Sequence, residues 1–551
     1  MNMRNLLCTA FVLLIFSAKV FSSGIQVLNT TVTTNDNKTS AQVKFTLIWD
    51  HSWRLDQDDP GPKNWDAAWV FIKFRTLPGD NWRHGYIKQA GSEMPSHAEF
   101  KIGNSIGVVG GVNTTVGVGA FIYRKEPGSG VIIFTDCELY WDFSQNGLTG
   151  GEQVEVCVLA TEMVYIPQGA FSLGDQTSQN HFRRQPAAYG GIPYPVTTAA
   201  TPAFVSNSVY NNNSYPTARD ALQSSGVAAG GTADDFPTAN TYNTSYTSVP
   251  AGYPRGFTSF YCMKYEITQG EYLQFLNKNL VTVKNAGYYV VDTIPPTPSG
   301  RYSIRKKPGT GTLDNPAEYE FINPAAAYLP CNFLGTKDVL AWLIWAGLRP
   351  MSELEYEKIC RGPEPVPGTV TQRPQFAFGS IDISPAPGFS NKNGPNESPS
   401  NQTGNCTVSE FAGTVSTIGG GTSYVLIDGP MRAGGFANPV SSRIKAGATY
   451  YGVMEMSGNL WERAVSIGNG NGRAFLGSVA AHGNGEIGPG VNPDLPIGGG
   501  WPPVNAVGLG FRGGSYLDSD ERARISDRQF INLNNHTRSI NFGGRGVRSD
   551  L

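Results

Sequence analysis

The chain has 551 residues, 40% hydrophobic and 11% aromatic, so it can bury at least one large core and is not generally disordered. Charged residues make up only 16%, against roughly 25% in an average soluble protein, while Gly (66) and Pro (37) together approach a fifth of the chain. A formal net charge of −2 gives no support to a basic nucleic-acid-binding surface, and the composition suits a loop-rich, β-leaning extracellular protein.

Residues 1–23 read as a secretory signal. Arg4 supplies the positive start, Leu6 to Phe16 a short apolar run, and Val20 and Ser22 a small-residue cleavage site. The run is shorter than the roughly 20 residues that span a bilayer, and no later segment looks transmembrane. Cys8 lies inside the run, where it does not suit a lipid anchor. The mature chain is expected to be exported, in the periplasm, at the cell surface or secreted. Its cysteines, Cys137, Cys157, Cys262, Cys331, Cys360 and Cys406, show no CxxC spacing, so neither a disulfide scaffold nor a structural zinc site is expected. Cys137 and Cys157 fall in neighbouring predicted strands and fit either a disulfide or two buried thiols.

Residues 24–160 read as short strands. Val43, Phe45, Leu47 and Trp49 alternate with Lys44 and Thr46, the period-2 signal of a half-buried strand. Ala68–Phe74, Ala120–Tyr123, Val131–Thr135, Glu138–Phe143 and Val154–Leu159 repeat it, with Gly and Pro punctuation between many of them. An antiparallel β-sandwich domain is expected, without a catalytic cluster. Asp56, Asp58 and Asp59 before Pro60 read as a solvated turn.

Residues 175–255 are rich in Tyr, Asn, Ser, Thr, Ala, Gly and Pro and lack the apolar density for a core, as in a low-complexity insertion. Three helical patterns follow. The first, from Thr268 to Asn277, puts Tyr272, Phe275 and Leu276 on one face; the second runs from Thr336 to Ala346 and stops at Gly347. The third starts near Ser352, whose Glu355 three residues on makes a capping-box pattern. Few helices and long irregular coil imply an α+β domain. The six histidines show no i,i+4 pair on a helix and read as scattered surface residues, and Gly468–Gly472 reads as plain loop.

Five segments in order resemble the formylglycine-generating enzyme, or sulfatase-modifying factor, family. They are Met163–Gly174 (MVYIPQGAFSLG), Phe260–Thr268 (FYCMKYEIT), Trp345–Glu357 (WAGLRPMSELEYE), Tyr451–Glu462 (YGVMEMSGNLWE), and the closing pair Phe511–Ser515 (FRGGS) with Gly544–Arg548 (GRGVR). The resemblance covers 161–551 and implies an irregular α+β fold related to C-type lectins, preceded by the β-sandwich outside it. Members that oxidise a cysteine to formylglycine carry two cysteines after the Gly-Gly-Ser motif, soft thiolates that hold Cu(I). Here those positions fall on Asp518 and Ala523, so no copper and no such activity are expected. The resemblance further implies a structural Ca²⁺ held by the side chains of Glu455 and Glu462 and the carbonyls of Gly458 and Leu460.

Two classes of function follow. One is a non-catalytic module of the cell surface or extracellular space that binds envelope proteins or glycans or self-assembles. In its lectin-like version the contact surface is Tyr516, Asp518, Asp520, Arg522, Arg524, Asp527, Asn534, Asn535 and His536. The other is an oxidoreductase of the same family with an altered metal site, for which the chain offers no evident ligand set.

Overall fold

Alternation along the chain builds the first strands: in β2 (Ala41–Arg54) the side chains of Val43, Phe45, Leu47 and Trp49 are buried and those between them half-buried. The computed structural model describes residues 24–56, 61–79, 81–174, 194–196, 250, 252–279, 300–312, 315–363, 376–400, 404–409, 427–438, 441–488, 494–496 and 498–550. The signal at 1–23, most of the 175–255 insertion, Asp58, Asp59 and His181 lie outside them.

Around β2 stand β1 (Gln26–Thr34), β3 (Asp66–Thr76), β4 (Arg83–Gly85), β5 (Ile87–Glu93), β6 (Ala98–Val109), β7 (Val112–Arg124), β8 (Gly128–Trp141) and β9 (Val154–Ile166). Beyond them come the hairpin β10 (Phe171–Leu173) with β11 (Tyr194–Val196), then β12 (Phe260–Met263), and near the C-terminus β20 (Val547–Ser549). The hydrogen-bonded order is β1-β2-β8-β5-β7-β3-β9-β12-β20, with β4 on β3 and β6 on β7. The two separate layers expected of a sandwich are thus one sheet, because β5 bonds to both β8 and β7. The sheet curls until β1 packs beside β9.

The expected boundary at 160 falls inside β9. Its residues Val154–Val164 pair with β3, and Met163–Ile166 pair with β12, so one strand belongs to both halves. Side chains join the halves as well. Trp69 Nε1 donates to Ala346 O at 2.7 Å, and Lys73 Nζ donates to Trp345 O and Gly485 O at 2.8 and 2.6 Å. Arg548 stacks over Trp69 at 4.6 Å and donates to Asn104 O. Gly119 makes room for that indole: a Cβ there would lie 2.4 Å from Trp69 Cζ2. A buried cluster crosses the seam too, with Lys264 Nζ 2.9 Å from Glu162 and 3.4 Å from Asp66.

The three helices form where their caps are written. In α1 (Gln269–Asn277) Thr268 Oγ1 accepts from Glu271 N, and Glu271 returns the bond from Thr268 N. α2 (Thr336–Trp345) is buried almost all round, as its Leu/Ile/Trp content requires. In α3 (Glu353–Arg361) Ser352 and Glu355 close the capping box, a contribution of about 1 kcal/mol per capping side chain. Short strands form three further small sheets: β13 (Ile304–Lys306) with β14 (Tyr319–Phe321), β16 (Phe389–Ser390) with β17 (Ser398–Pro399), and β15 (Met351–Ser352) with β18 (Glu462–Val465) and β19 (Leu509–Arg512).

One open alternative is resolved and two expectations change. All six described cysteines are free and buried, so Cys137 and Cys157 are two thiols and not a disulfide. His84 and His482 are not surface residues but buried ones: His84 Nε2 meets Val118 O at 2.6 Å, and His482 Nε2 accepts from Ser549 N. Burial holds both far below the ordinary histidine pKa, so they stay neutral. Gly470–Arg473 forms one helical turn capped by Asn469, where plain loop was expected, and the turn packs Gly472 onto Ser466 O.

Candidate functional site

The region after β19 is fixed by charge. Glu353 and Glu357 lie one turn apart on α3 and are fully buried. Arg512 donates to both, at 3.2 and 3.0 Å, and Arg528 forks onto Glu353 at 2.6 and 3.0 Å. Arg361 adds a 3.1 Å bond to Glu357. Charge-assisted bonds of this kind are the strong ones, and here they pin both ends of residues 512–528 to one helix. Between those ends Gly513 and Gly514 adopt φ of 93° and 72°, and a Cβ on Gly514 would sit 2.8 Å from Arg522 C. Only glycine allows the chain to fold back on itself there.

That return places the two positions expected to matter for copper. Asp518 accepts a bond from Ser515 Oγ on its carboxylate, while its backbone carbonyl accepts from Ser409 N at 2.9 Å. Burial pushes its carboxyl up, against the hydrogen bonds that lower it. Ala523 packs in an apolar cluster with Phe376, Phe378, Cys406 and Val408. The Cys406 thiol is committed to Ser457 O at 2.8 Å, and burial raises its pKa, so it offers no thiolate. A tethered carboxylate and a methyl group do not fit Cu(I).

Beside this turn opens a cleft of about 590 Å³, lined by Arg301, Tyr302, Ser303, Ile322, Asn323, Ile427, Asp428, Tyr516, Leu517 and Ile540 among others. Ile322 and Leu517 are its exposed apolar edges, and Ile427 and Tyr516 are buried within it. Arg301 is spent internally: it pairs with buried Glu397, donates to Pro430 O at 2.6 Å and reaches Asn393 Oδ1. Asp428 is exposed, with Lys392 at 2.5 Å. The cleft therefore offers apolar walls with a few polar groups, the make-up of a binding pocket.

The expected contact surface divides. Tyr516 lines the cleft, its hydroxyl 3.4 Å from Ile540 O. Asp518, Asp520, Arg522, Arg524, Asn534 and Asn535 are half-buried, and His536 is exposed. Asp527 is buried and accepts from Arg522 at 2.9 Å and from Gln529 N, so it is a structural group and leaves the contact set. The cleft residues outside 511–540 had no signal in the sequence: Arg301, Ile322 and Asp428 come from separate, loop-rich segments.

The expected Ca²⁺ loop is a tight turn, with Glu455, Gly458 and Asn459 at φ of 56°, 87° and 68°. Leu460 N and Asn459 Nδ2 donate to Glu266, which anchors the turn from β12's continuation. Glu455 Oε1 accepts from Gly434 N at 2.8 Å, while its Oε2 is buried without a partner among the described residues. Glu462 is taken: Arg545 donates to both of its oxygens, at 2.7, 2.9 and 3.0 Å. An ion between Glu455 and Glu462 would face a buried guanidinium, so the set of Glu455, Gly458, Leu460 and Glu462 does not fit Ca²⁺ as these side chains stand. No cluster of three His, Cys, Asp or Glu suited to a metal occurs among the described residues. No helix among them is long and apolar enough to cross a membrane.

No curated protein matches the chain. Residues 227–549, more than half of it, match the family described as the sulfatase-modifying factor enzyme 1-like domain. The match leaves out the Met163–Gly174 segment, whose strand β9 nonetheless bonds to β12 inside the matched range. With the motifs at 260–268, 345–357, 451–462, 511–515 and 544–548 all inside that range, the chain belongs to the sulfatase-modifying factor enzyme 1-like domain family.

Proposed function

We propose that the chain is an exported, non-catalytic binding module in which the family's catalytic corner has become a ligand cleft. The observation that carries this reading is the pairing of Asp518, tied to Ser515, with Ala523, packed among Phe376, Phe378 and Val408. Neither supplies the soft ligand that copper and oxygen chemistry requires. Support for binding comes from the cleft that begins at Tyr516 and Leu517, next to the same turn. Its mixture of exposed aliphatic edges and isolated polar groups suits part of an envelope protein or a glycan.

The test has two arms. Purified protein incubated with a sulfatase-type cysteine peptide, copper and oxygen is expected to form no formylglycine above a no-enzyme control; conversion would overturn the reading. In the second arm, an immobilised glycan panel and envelope extract are probed with the unmodified chain and with Leu517→Asp. Binding that uses the cleft is lost in the variant while its melting temperature is unchanged. Binding unaffected by Leu517→Asp removes the cleft from the proposal.

A further inference from the structure

We propose that Arg545 is a built-in cation for the Glu455–Glu462 turn, so that a guanidinium closes the loop where the family resemblance expects Ca²⁺, and the turn is independent of calcium. The side chain of Arg545 is fully buried. Besides its bonds to Glu462, it donates through Nη1 to Met263 O at 2.9 Å and through Nη2 to Met454 O at 2.8 Å. Two carboxylate oxygens and two backbone carbonyls thus converge on one positive group. That is the donor chemistry of a calcium site, hard oxygens of both kinds, but it is arranged around a planar fork of N–H donors. Guanidinium suits it because it stays charged, meets a carboxylate with two bonds and is more weakly hydrated than an ammonium.

The work an ion would do in the turn is also covered by protein groups. Asn459 is held by Glu266 at 2.6 Å and by Met431 N, which donates to its Oδ1 at 2.8 Å. Gly458 donates to Gly513 O at 2.7 Å and lies so close to Thr407 that a Cβ would approach its carbonyl oxygen to 2.4 Å. Of the two carboxylates that the resemblance assigns to the ion, Glu462 has both oxygens on Arg545, and Glu455 keeps Oε2 alone without a partner among the described residues. Arg545 also ties three parts of the chain together: the end of β12 through Met263, the turn through Met454 and Glu462, and the approach to β20. The arginine is therefore a positioning residue that joins the closing segment to the turn.

The experiment uses the full mature chain. Metal content after dialysis against calcium, and melting temperature in millimolar calcium and in chelator, are measured for the unmodified protein, Arg545→Lys and Arg545→Met. The unmodified protein is expected to retain no calcium and to melt at the same temperature in both buffers. Arg545→Met is expected to melt lower by about 3–5 °C, because it leaves Glu462 buried without its partner. Arg545→Lys, which keeps the charge, is expected to fall between the two. Should Arg545→Met fail to fold, the calcium arm on the unmodified protein still decides. One calcium retained per chain, with a rise in melting temperature that Glu462→Gln abolishes, would overturn the assignment. So would an Arg545→Met variant as stable as the parent in chelator.

Discussion

Replacing Lys264 with Met strikes the seam between the two halves of the molecule. The ammonium is 2.9 Å from Glu162 and 3.4 Å from Asp66, and its side chain is 5% exposed, against 1% and 0% for the carboxylates. At an effective dielectric of ~20 these attractions come to about 6 and 5 kcal/mol before desolvation is counted. Removing one side of a buried ion pair costs about 3–5 kcal/mol net, since the remaining charges stay out of water. Asp66 has further bonds from Trp49 Nε1, Ser52 Oγ and Trp53 N, and Glu162 is the carboxylate nearer to the ammonium, so the larger attraction lost is that of Glu162. Adding Glu162→Gln to Lys264→Met should therefore return part of the stability. Urea unfolding followed by tryptophan fluorescence and far-UV circular dichroism measures this. Because β9 and the cluster belong to both halves, the two signals should share one midpoint, which falls in Lys264→Met with little change in slope. Two separate transitions, only one of them moved by the substitution, would refute the reasoning.

Two further outcomes are expected. Although burial opposes its charge, Glu162, Tyr265 and Asp66 hold the Lys264 ammonium well above the ordinary lysine range. The folded state then keeps a proton that the unfolded chain gives up. The contribution is full below pH ~10.4 and disappears as pH rises further, so the stability difference between parent and Lys264→Met should narrow in strong alkali; a constant difference up to pH ~12 would exclude it. Gly119→Ala should destabilise by about 1–3 kcal/mol, because the new methyl would meet Trp69 Cζ2 at 2.4 Å in a packed core. A thermal melt identical to the parent's would show that the indole has room to move.

What was legible in the sequence is what local physics decides. Thr268 and Ser352 announce their helices because a cap and its Glu three residues on act within one turn. The strands of the first half follow from alternation for the same reason. The boundary at 160 was not legible, since Val154–Ile166 reads as one apolar run and nothing local says that its two ends bond to different neighbours. Glu462 looked like an ion ligand because its partner, Arg545, comes 83 residues later and depends on tertiary packing. His84 and His482 looked like surface residues because neither has a neighbour in sequence that reveals its burial. The cleft is the same case, gathered from loops whose composition says only that they are loops.

The sheet that opens with β1 at residue 26 takes in β20 at residues 547–549, and Arg548 from that strand rests on Trp69. One edge of that sheet is therefore completed only by the segment nearest the C-terminus. The strands before residue 167 pair mostly with one another, but the Met163–Ile166 end of β9 waits for β12, and β12 waits for Val547–Ser549, about 285 residues further on. Contacts of such separation are slow to form, and until they do, the free edges of β9 and β12 are open to strands of other chains. A factor that covers the β9 and β12 edges until Val547–Ser549 is available is expected to raise the yield of native protein.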